Sequence, residues 1–173
     1  MKIFGLVGWS GSGKTTLIRK LIPELTGMGY RVSTMKHTHH NFDIDKPGKD
    51  SYEHRVAGAS QVLITGKKRW ALLNENRQTS EPTIEELLAR MDEVDLVLIE
   101  GFKSHSHAKL EVFRPSVGKD MIAANDGSVV AVATDESLVD VQLPVLDLNN
   151  VSAVADFVIN FCDLHKSELN GAA

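Results

Sequence analysis

KIFGLVGWSGSGKTTLIRKL, residues 2–21, sets a short apolar run, a glycine-rich turn and the start of an amphipathic helix in immediate succession. The run KIFGLV (2–7) stops at the turn as a buried parallel strand does before feeding a helix. Leu17, Ile18, Leu21, Ile22 and Leu25 then recur at i, i+3/i+4 spacing, which predicts a helix from Thr15 to Thr26 with one side against a sheet, ended by Gly27 and Gly29. Between strand and helix, Gly8, Gly13, Lys14 and Thr15 match G-x-x-x-x-G-K-[ST]. Each residue type in that pattern has a physical task. Glycines at 8, 11 and 13 allow backbone angles that let several amides converge on phosphate oxygens, and a helix starting near Lys14 adds the positive end of its dipole. The ammonium of Lys14 neutralises β/γ-phosphate charge, and the Thr15 hydroxyl ligates Mg²⁺. Gly8, Ser10, Gly11, Ser12, Gly13, Lys14, Thr15 and Thr16 are therefore the candidate phosphate cradle of a P-loop.

Working outward, RVSTMK (31–36) reads as a second strand and SYEHRVAG (51–58) as a short helix with Ser51 as its N-cap. SQVLIT (60–65) and RWALLNE (69–75), separated by Gly66, Lys67 and Lys68, read as a hairpin that interrupts the βα alternation. IEELLARM (84–91) is an amphipathic helix, and DLVLIEG (95–101) an apolar strand with an acid at each end. AKLEVFR (108–114) alternates polar and apolar residues, which predicts an antiparallel or edge strand with one wet face. VVAVAT (129–134) and LPVLDL (143–148) read as strands, and Val151 to Leu164 as a closing helix. The pattern predicts an α/β fold of the P-loop NTPase type, a mostly parallel sheet with helices on both faces. One domain is expected over 1–173, with a small β-rich insert around 60–75 and 105–115.

Composition narrows the function classes. The chain has 173 residues and a formal net charge of −4, which argues against a binder of nucleic-acid backbones, since those cluster Lys and Arg against phosphates. A single cysteine, Cys162, closes no intrachain disulfide. No apolar run approaches the ~20 residues of a membrane span. Met1-Lys2 leads straight into a strand, so the mature protein is expected to start here, in the cytoplasm.

A P-loop needs an acid near Mg²⁺ at the C-terminal end of a neighbouring apolar strand. Asp95 precedes the 95–101 strand and Glu100 closes it, so Glu100 stands where parallel sheets place their ligands. The stretch KHTHHNFDIDKPGKDS (36–51) packs three His, three Asp and three Lys beyond the second strand. Its expected role is a phosphate- or substrate-contacting loop, with Lys36 and Lys49 for anions and Asp45 or Asp50 for metal. A transition-metal site from His37, His39, His40, Asp43 and Asp45 and a plain solvated loop are the alternatives. Residues 37–50 exceed the usual βα connection of about 2–6 residues, which predicts a segment that orders with nucleotide. Residues 36–69 carry seven Lys/Arg against four Asp/Glu, a surface that anionic ligands would approach. Arg55 is expected to pair with Asp or Glu rather than reach a γ-phosphate. Asp135, at the end of the 129–134 strand, is a candidate acceptor for the N1–H and N2–H₂ edge of guanine, although no N-K-x-D stretch is present. Trp9 and Trp70 read as packing residues, and His54, His105 and His107 as surface positions.

GWSGSGKTT, KHTHHNFDIDKPGKDSYEHRVAGA, RWAL and DLVLIEGFK together resemble the molybdopterin-guanine dinucleotide biosynthesis protein B family over nearly the whole chain. The resemblance implies a GTP-binding P-loop protein with weak GTP hydrolysis, and a homodimer whose β-rich insert extends the interface. It implies as partner the molybdenum cofactor guanylyltransferase, which joins GMP to molybdopterin. On this chain Gly13, Lys14, Thr15 and Thr16 would bind phosphate and Mg²⁺, and Glu100 would be the acid of the second Walker motif. A P-loop small-molecule kinase is the alternative, although only the His/Asp/Lys loop offers an acceptor site.

Overall fold

A computed structural model describes residues 1–38, 42–77 and 80–165, which divide into two compact units, 39–92 and the remainder. The larger unit holds β1 (Lys2–Val7), α1 (Lys14–Gly27), β2 (Val32–Lys36), β5 (Leu96–Glu100), β6 (Lys109–Val112), β7 (Val129–Thr134), β8 (Val145–Asp147) and α4 (Val151–Cys162). The smaller holds α2 (Asp50–Val56), β3 (Gln61–Gly66), β4 (Arg69–Asn74) and α3 (Ile84–Leu88). No described helix is long and apolar enough to cross a membrane.

Six strands of the larger unit form one sheet in the order β2-β5-β1-β6-β7-β8, every pair parallel. The strand bearing the glycine-rich turn thus lies between β5 and β6, and the C-terminal ends of all six strands point the same way. Phe4 and Leu6 of β1, Leu96 and Leu98 of β5, Leu110 and Val112 of β6 and Ala131 and Ala133 of β7 face one cluster with Leu17, Leu21 and Leu25 of α1 and Val154 and Val158 of α4. The i, i+3/i+4 stripe read from the sequence is this contact. Burying each Phe, Leu or Val side chain contributes about 1.5–3 kcal/mol, so the cluster anchors the start of α1 and with it the turn.

The 108–114 stretch departs from the edge strand that its alternation predicts. β6 lies between β1 and β7, parallel to both, and Lys109 through Val112 are all buried. The polar half of the alternation has internal partners instead of water. Lys109 Nζ donates to Asp126 Oδ2 at 2.9 Å, to Ser128 Oγ at 2.6 Å and to the Lys103 carbonyl at 3.1 Å. The Glu111 carboxylate accepts the backbone N–H groups of Ile122 and Ala123, both at 2.8 Å. A period of two reports that the faces of a strand differ, and buried charges with full hydrogen bonding satisfy that pattern as well as solvent does.

His107 corrects a second expectation, because it is buried rather than on the surface. Its Nδ1 lies 3.2 Å from His105 Nδ1, and burial together with the Lys109 charge pushes its pKa down to about 4, so the ring is neutral at pH 7. The ring fits because position 5 of β1 lacks a side chain. A Cβ on Gly5 would run into His107 Nε2 and stand 2.7 Å from Lys109 Cγ. Gly5→Ala is therefore expected to destabilise the protein by about 1–3 kcal/mol, measured by urea unfolding, with an unchanged m-value. An unaltered midpoint would show that the ring repacks freely.

In the smaller unit β3 and β4 pair antiparallel, with Leu63 opposite Leu72 and Thr65 opposite Trp70. Arg55 of α2 binds Asp43 Oδ1 at 2.8 Å and Asp45 Oδ1 at 2.9 Å, and lies 3.5 Å from Glu75 Oε1, the pairing expected of it. Ser51 is not the cap of α2. The helix starts at Asp50 with Lys49 in extended conformation before it and no side-chain cap, while Asp50 and Glu53 place negative charge in the first turn. α3 carries a capping box between Thr83 and Glu86.

Candidate functional site

The turn after β1 has the backbone that its glycines permit, with φ of 147° at Gly8, 83° at Gly11 and 102° at Gly13. At Gly8 a Cβ would strike the Val112 carbonyl and approach Ser12 Oγ to 2.7 Å, so the close packing of β1 against β6 requires glycine there. Gly13 precedes α1 in left-handed conformation with no side-chain cap, which leaves the first amides of the helix to an external acceptor. Ser12 Oγ is buried and without a hydrogen-bond partner. A turn that offers amides and a buried hydroxyl together suits a bound anion.

Lys14 arches back over this turn and donates to the carbonyls of Gly8 at 2.8 Å and Trp9 at 2.9 Å. Burial lowers its pKa, the Glu100 carboxylate opposes that shift, and the charges of Lys103 and Lys36 reinforce it. Lys14 therefore shares its surroundings with one acid and two further cations. Glu100 stands at the C-terminal end of β5, opposite Leu6 of β1 and Lys36 of β2. Its Oε1 accepts from Thr15 Oγ1 at 3.2 Å and its Oε2 lies 3.6 Å from Lys36 Nζ. Gly101, at φ 93°, passes His37 so closely that a Cβ would lie 3.1 Å from the His37 carbonyl. Asp95, at the other end of β5, accepts from the Arg31 N–H at 2.7 Å and lies 3.5 Å from its guanidinium, away from the turn.

Two residues at this end of the sheet escaped the sequence reading. Lys103 holds its ammonium 4.1 Å from the centre of the Trp9 ring, and Trp9 Nε1 donates to the Asp120 carbonyl at 2.8 Å, so Trp9 is a bridge on the rim of the turn. Arg114 Nε donates to the Ser12 carbonyl at 3.0 Å, and its Nη1 binds Asp135 Oδ2. The strand-end rule that found Glu100 points to Arg114 as well once β6 is placed beside β1.

The remaining candidates belong to the smaller unit. Asp45 is held by Arg55, and Lys49 precedes α2. His39 and His40 lie outside the described residues, as does part of the expected nucleotide-sensitive segment. Among the described residues no group of three or more His, Cys, Asp and Glu is arranged to hold a metal ion.

Residues 3–135 match the family model of Molybdopterin guanine dinucleotide synthesis protein B, MobB. The chain belongs to the MobB family. The matched segment runs from β1 to Asp135 and includes the turn, Lys36, Glu100 and Arg114. Among curated MobB relatives, the molybdopterin-guanine dinucleotide biosynthesis adapter protein of Escherichia coli K12 is 44% identical over 92% of each chain. The protein of the same name from Haemophilus influenzae is 42% identical over 92% of this chain and 88% of its own. A crystal structure of Bacillus subtilis MobB superposes with a TM-score of 0.74 at 24% identity, covering 96% of this chain and all of that one, which shows the shared fold.

Proposed function

We propose that the chain binds GTP with Mg²⁺ at the turn between β1 and α1, hydrolyses it slowly, and acts as an adapter in molybdopterin-guanine dinucleotide biosynthesis. In that role it assists the guanylyltransferase that attaches GMP to molybdopterin. The observation that carries the nucleotide reading is the convergence of Lys14, Thr15, Lys36 and Glu100 beside a turn with uncapped helix amides. The names of the relatives at 44% and 42% identity support the pathway.

Thr15 and Glu100 offer a hydroxyl and a carboxylate 3.2 Å apart, a hard-oxygen pair that suits Mg²⁺, which would supply neutralisation of triphosphate charge. The chain's own groups do the rest. On binding, Lys14 exchanges two backbone carbonyls for phosphate oxygens, Lys36 and Lys103 add positive charge beside it, and Glu100 orients the attacking water. With no arginine assigned to the γ-phosphate, a slow rate is the expected one. Turnover of γ-labelled GTP, alone and with the guanylyltransferase, tests the reading. Label released as phosphate, and faster with the partner, supports it; label carried to a small metabolite would make the protein a kinase, and label retained throughout would remove hydrolysis from its function.

A homodimer belongs to the same proposal. Leu63, Trp70 and Leu72 share one face of the hairpin and are 61%, 63% and 46% exposed. An apolar face on a two-stranded ribbon is a surface for a second copy. Light scattering at micromolar concentration is expected to give about twice the 19.0 kDa chain mass, and Trp70→Ser with Leu72→Ser to give the monomer. A monomeric parent would defeat this.

A further inference from the structure

We infer that Arg114 is a positioning residue for base specificity, fixing the Asp135 carboxylate for guanine and tying it to the phosphate cradle. This rests on the nucleotide reading above and extends it to the opposite side of the turn. Lys14, Lys36 and Glu100 sit over β1, β2 and β5, so the triphosphate tail must end on that side of the sheet. A nucleoside triphosphate is a linear molecule, and its base therefore leaves the cradle toward β6 and β7. Arg114 follows β6 and Asp135 follows β7, both at the C-terminal ends where parallel sheets hold ligands.

The contacts there form a continuous chain. Arg114 Nε donates to the Ser12 carbonyl at 3.0 Å, within the phosphate turn, and Nη1 of the same guanidinium holds Asp135 Oδ2. The guanidinium also lies against Gly13, where a Cβ would stand 3.6 Å from Nε and 3.8 Å from Nη2. Asp135 keeps a quarter of its side chain exposed. A carboxylate oxygen accepts two hydrogen bonds, so Oδ2 can take a second donor while Oδ1 takes another. Guanine presents two adjacent donors, N1–H and N2–H₂. Adenine presents a bare N1 lone pair at the same edge, which a fixed carboxylate repels. The arginine fork sets the plane of that carboxylate, and its charge keeps the acid compatible with a triphosphate nearby. Because one guanidinium touches both Ser12 and Asp135, base recognition and phosphate binding are mechanically joined.

Competition titrations with Mg²⁺ and GTP, ATP, XTP or inorganic tripolyphosphate, on wild type, Arg114→Ala, Arg114→Lys and Asp135→Asn, test this. Arg114→Ala is expected to lower the GTP-to-ATP affinity ratio by about tenfold or more, the value of one bidentate base contact. Tripolyphosphate, which has no base, should lose much less. Asp135→Asn should shift preference toward XTP, whose C2 carbonyl accepts the new amide, and Arg114→Lys should keep binding but recover discrimination only in part. Thermal melts without ligand report folding, and if Arg114→Ala does not fold, Arg114→Lys decides. A wild type that binds ATP and GTP equally would overturn the guanine reading and this inference together. A wild type that prefers GTP, with the preference intact in a folded Arg114 variant, would overturn this inference alone and leave Arg114 as a plain ion pair.

Discussion

Lys14→Ala is expected to weaken GTP binding by about thirtyfold or more in calorimetric titration with Mg²⁺, while the melting temperature without nucleotide changes little. The side chain is held against the Gly8 and Trp9 carbonyls at 2.8 and 2.9 Å, in an environment that burial and two further lysines make unfavourable to its charge. A cation kept there at a cost to its own protonation has its favourable partner supplied from outside, and a triphosphate is such a partner. Truncating one member of a desolvated charge pair costs about 2–5 kcal/mol, which corresponds to a factor of ~30 to several thousand in affinity. Without ligand the terms oppose one another. Removing Lys14 relieves repulsion from Lys36 and Lys103 but deprives two carbonyls and Glu100 of a cation, so the net effect on stability is within about 1 kcal/mol. Affinity for GTP within threefold of wild type would show that backbone amides alone hold the phosphates and that the lysine is ornamental.

The features that the sequence made legible are those whose cause is local. Gly8, Gly13, Lys14 and Thr15 form one uninterrupted motif, the stripe of α1 follows it directly, and Glu100 is the last residue of an apolar run whose polarity decides which end meets ligand. The guanidinium of Arg55 found its acids 10 and 12 residues away in the chain. Arg114 and Trp9 were opaque for the opposite reason, since their partners Ser12 and Asp120 lie 102 and 111 positions away. Lys109 and Glu111 misled because hydropathy scores a side chain and not its neighbours. Both looked like a wet face, and both are buried with acceptors and donors from 103 to 128. His107 follows from the same error, as its burial depends on Gly5 of β1, which pairs with the strand that begins two residues after the histidine. Strand order is the missing quantity in each case. Once β6 is placed between β1 and β7, the burial of 109–112 and the reach of Arg114 to Ser12 both follow.

Glu100→Gln should separate binding from hydrolysis. The substitution keeps an oxygen for Thr15 Oγ1, now 3.2 Å from Oε1, but removes the negative charge that faces Lys36 Nζ at 3.6 Å and counters the lowering of the Lys14 pKa. Phosphate binding gains from the loss of a nearby anion and loses from a weaker Mg²⁺ site, so the dissociation constant for GTP is expected to move by less than about tenfold. Hydrolysis has no such compensation. A carboxylate that takes the proton from water is worth about 10²–10⁴ in rate, and an amide, which still holds water but accepts no proton, cannot replace it in that task. Single-turnover release of labelled phosphate, with protein in excess so that product release does not limit the signal, is expected to slow by about a hundredfold. Parental single-turnover rates in Glu100→Gln would leave the carboxylate as a support for Thr15 and Lys36 alone. The group acting on water would then have to be found among the other side chains at the C-terminal ends of β1 and β5.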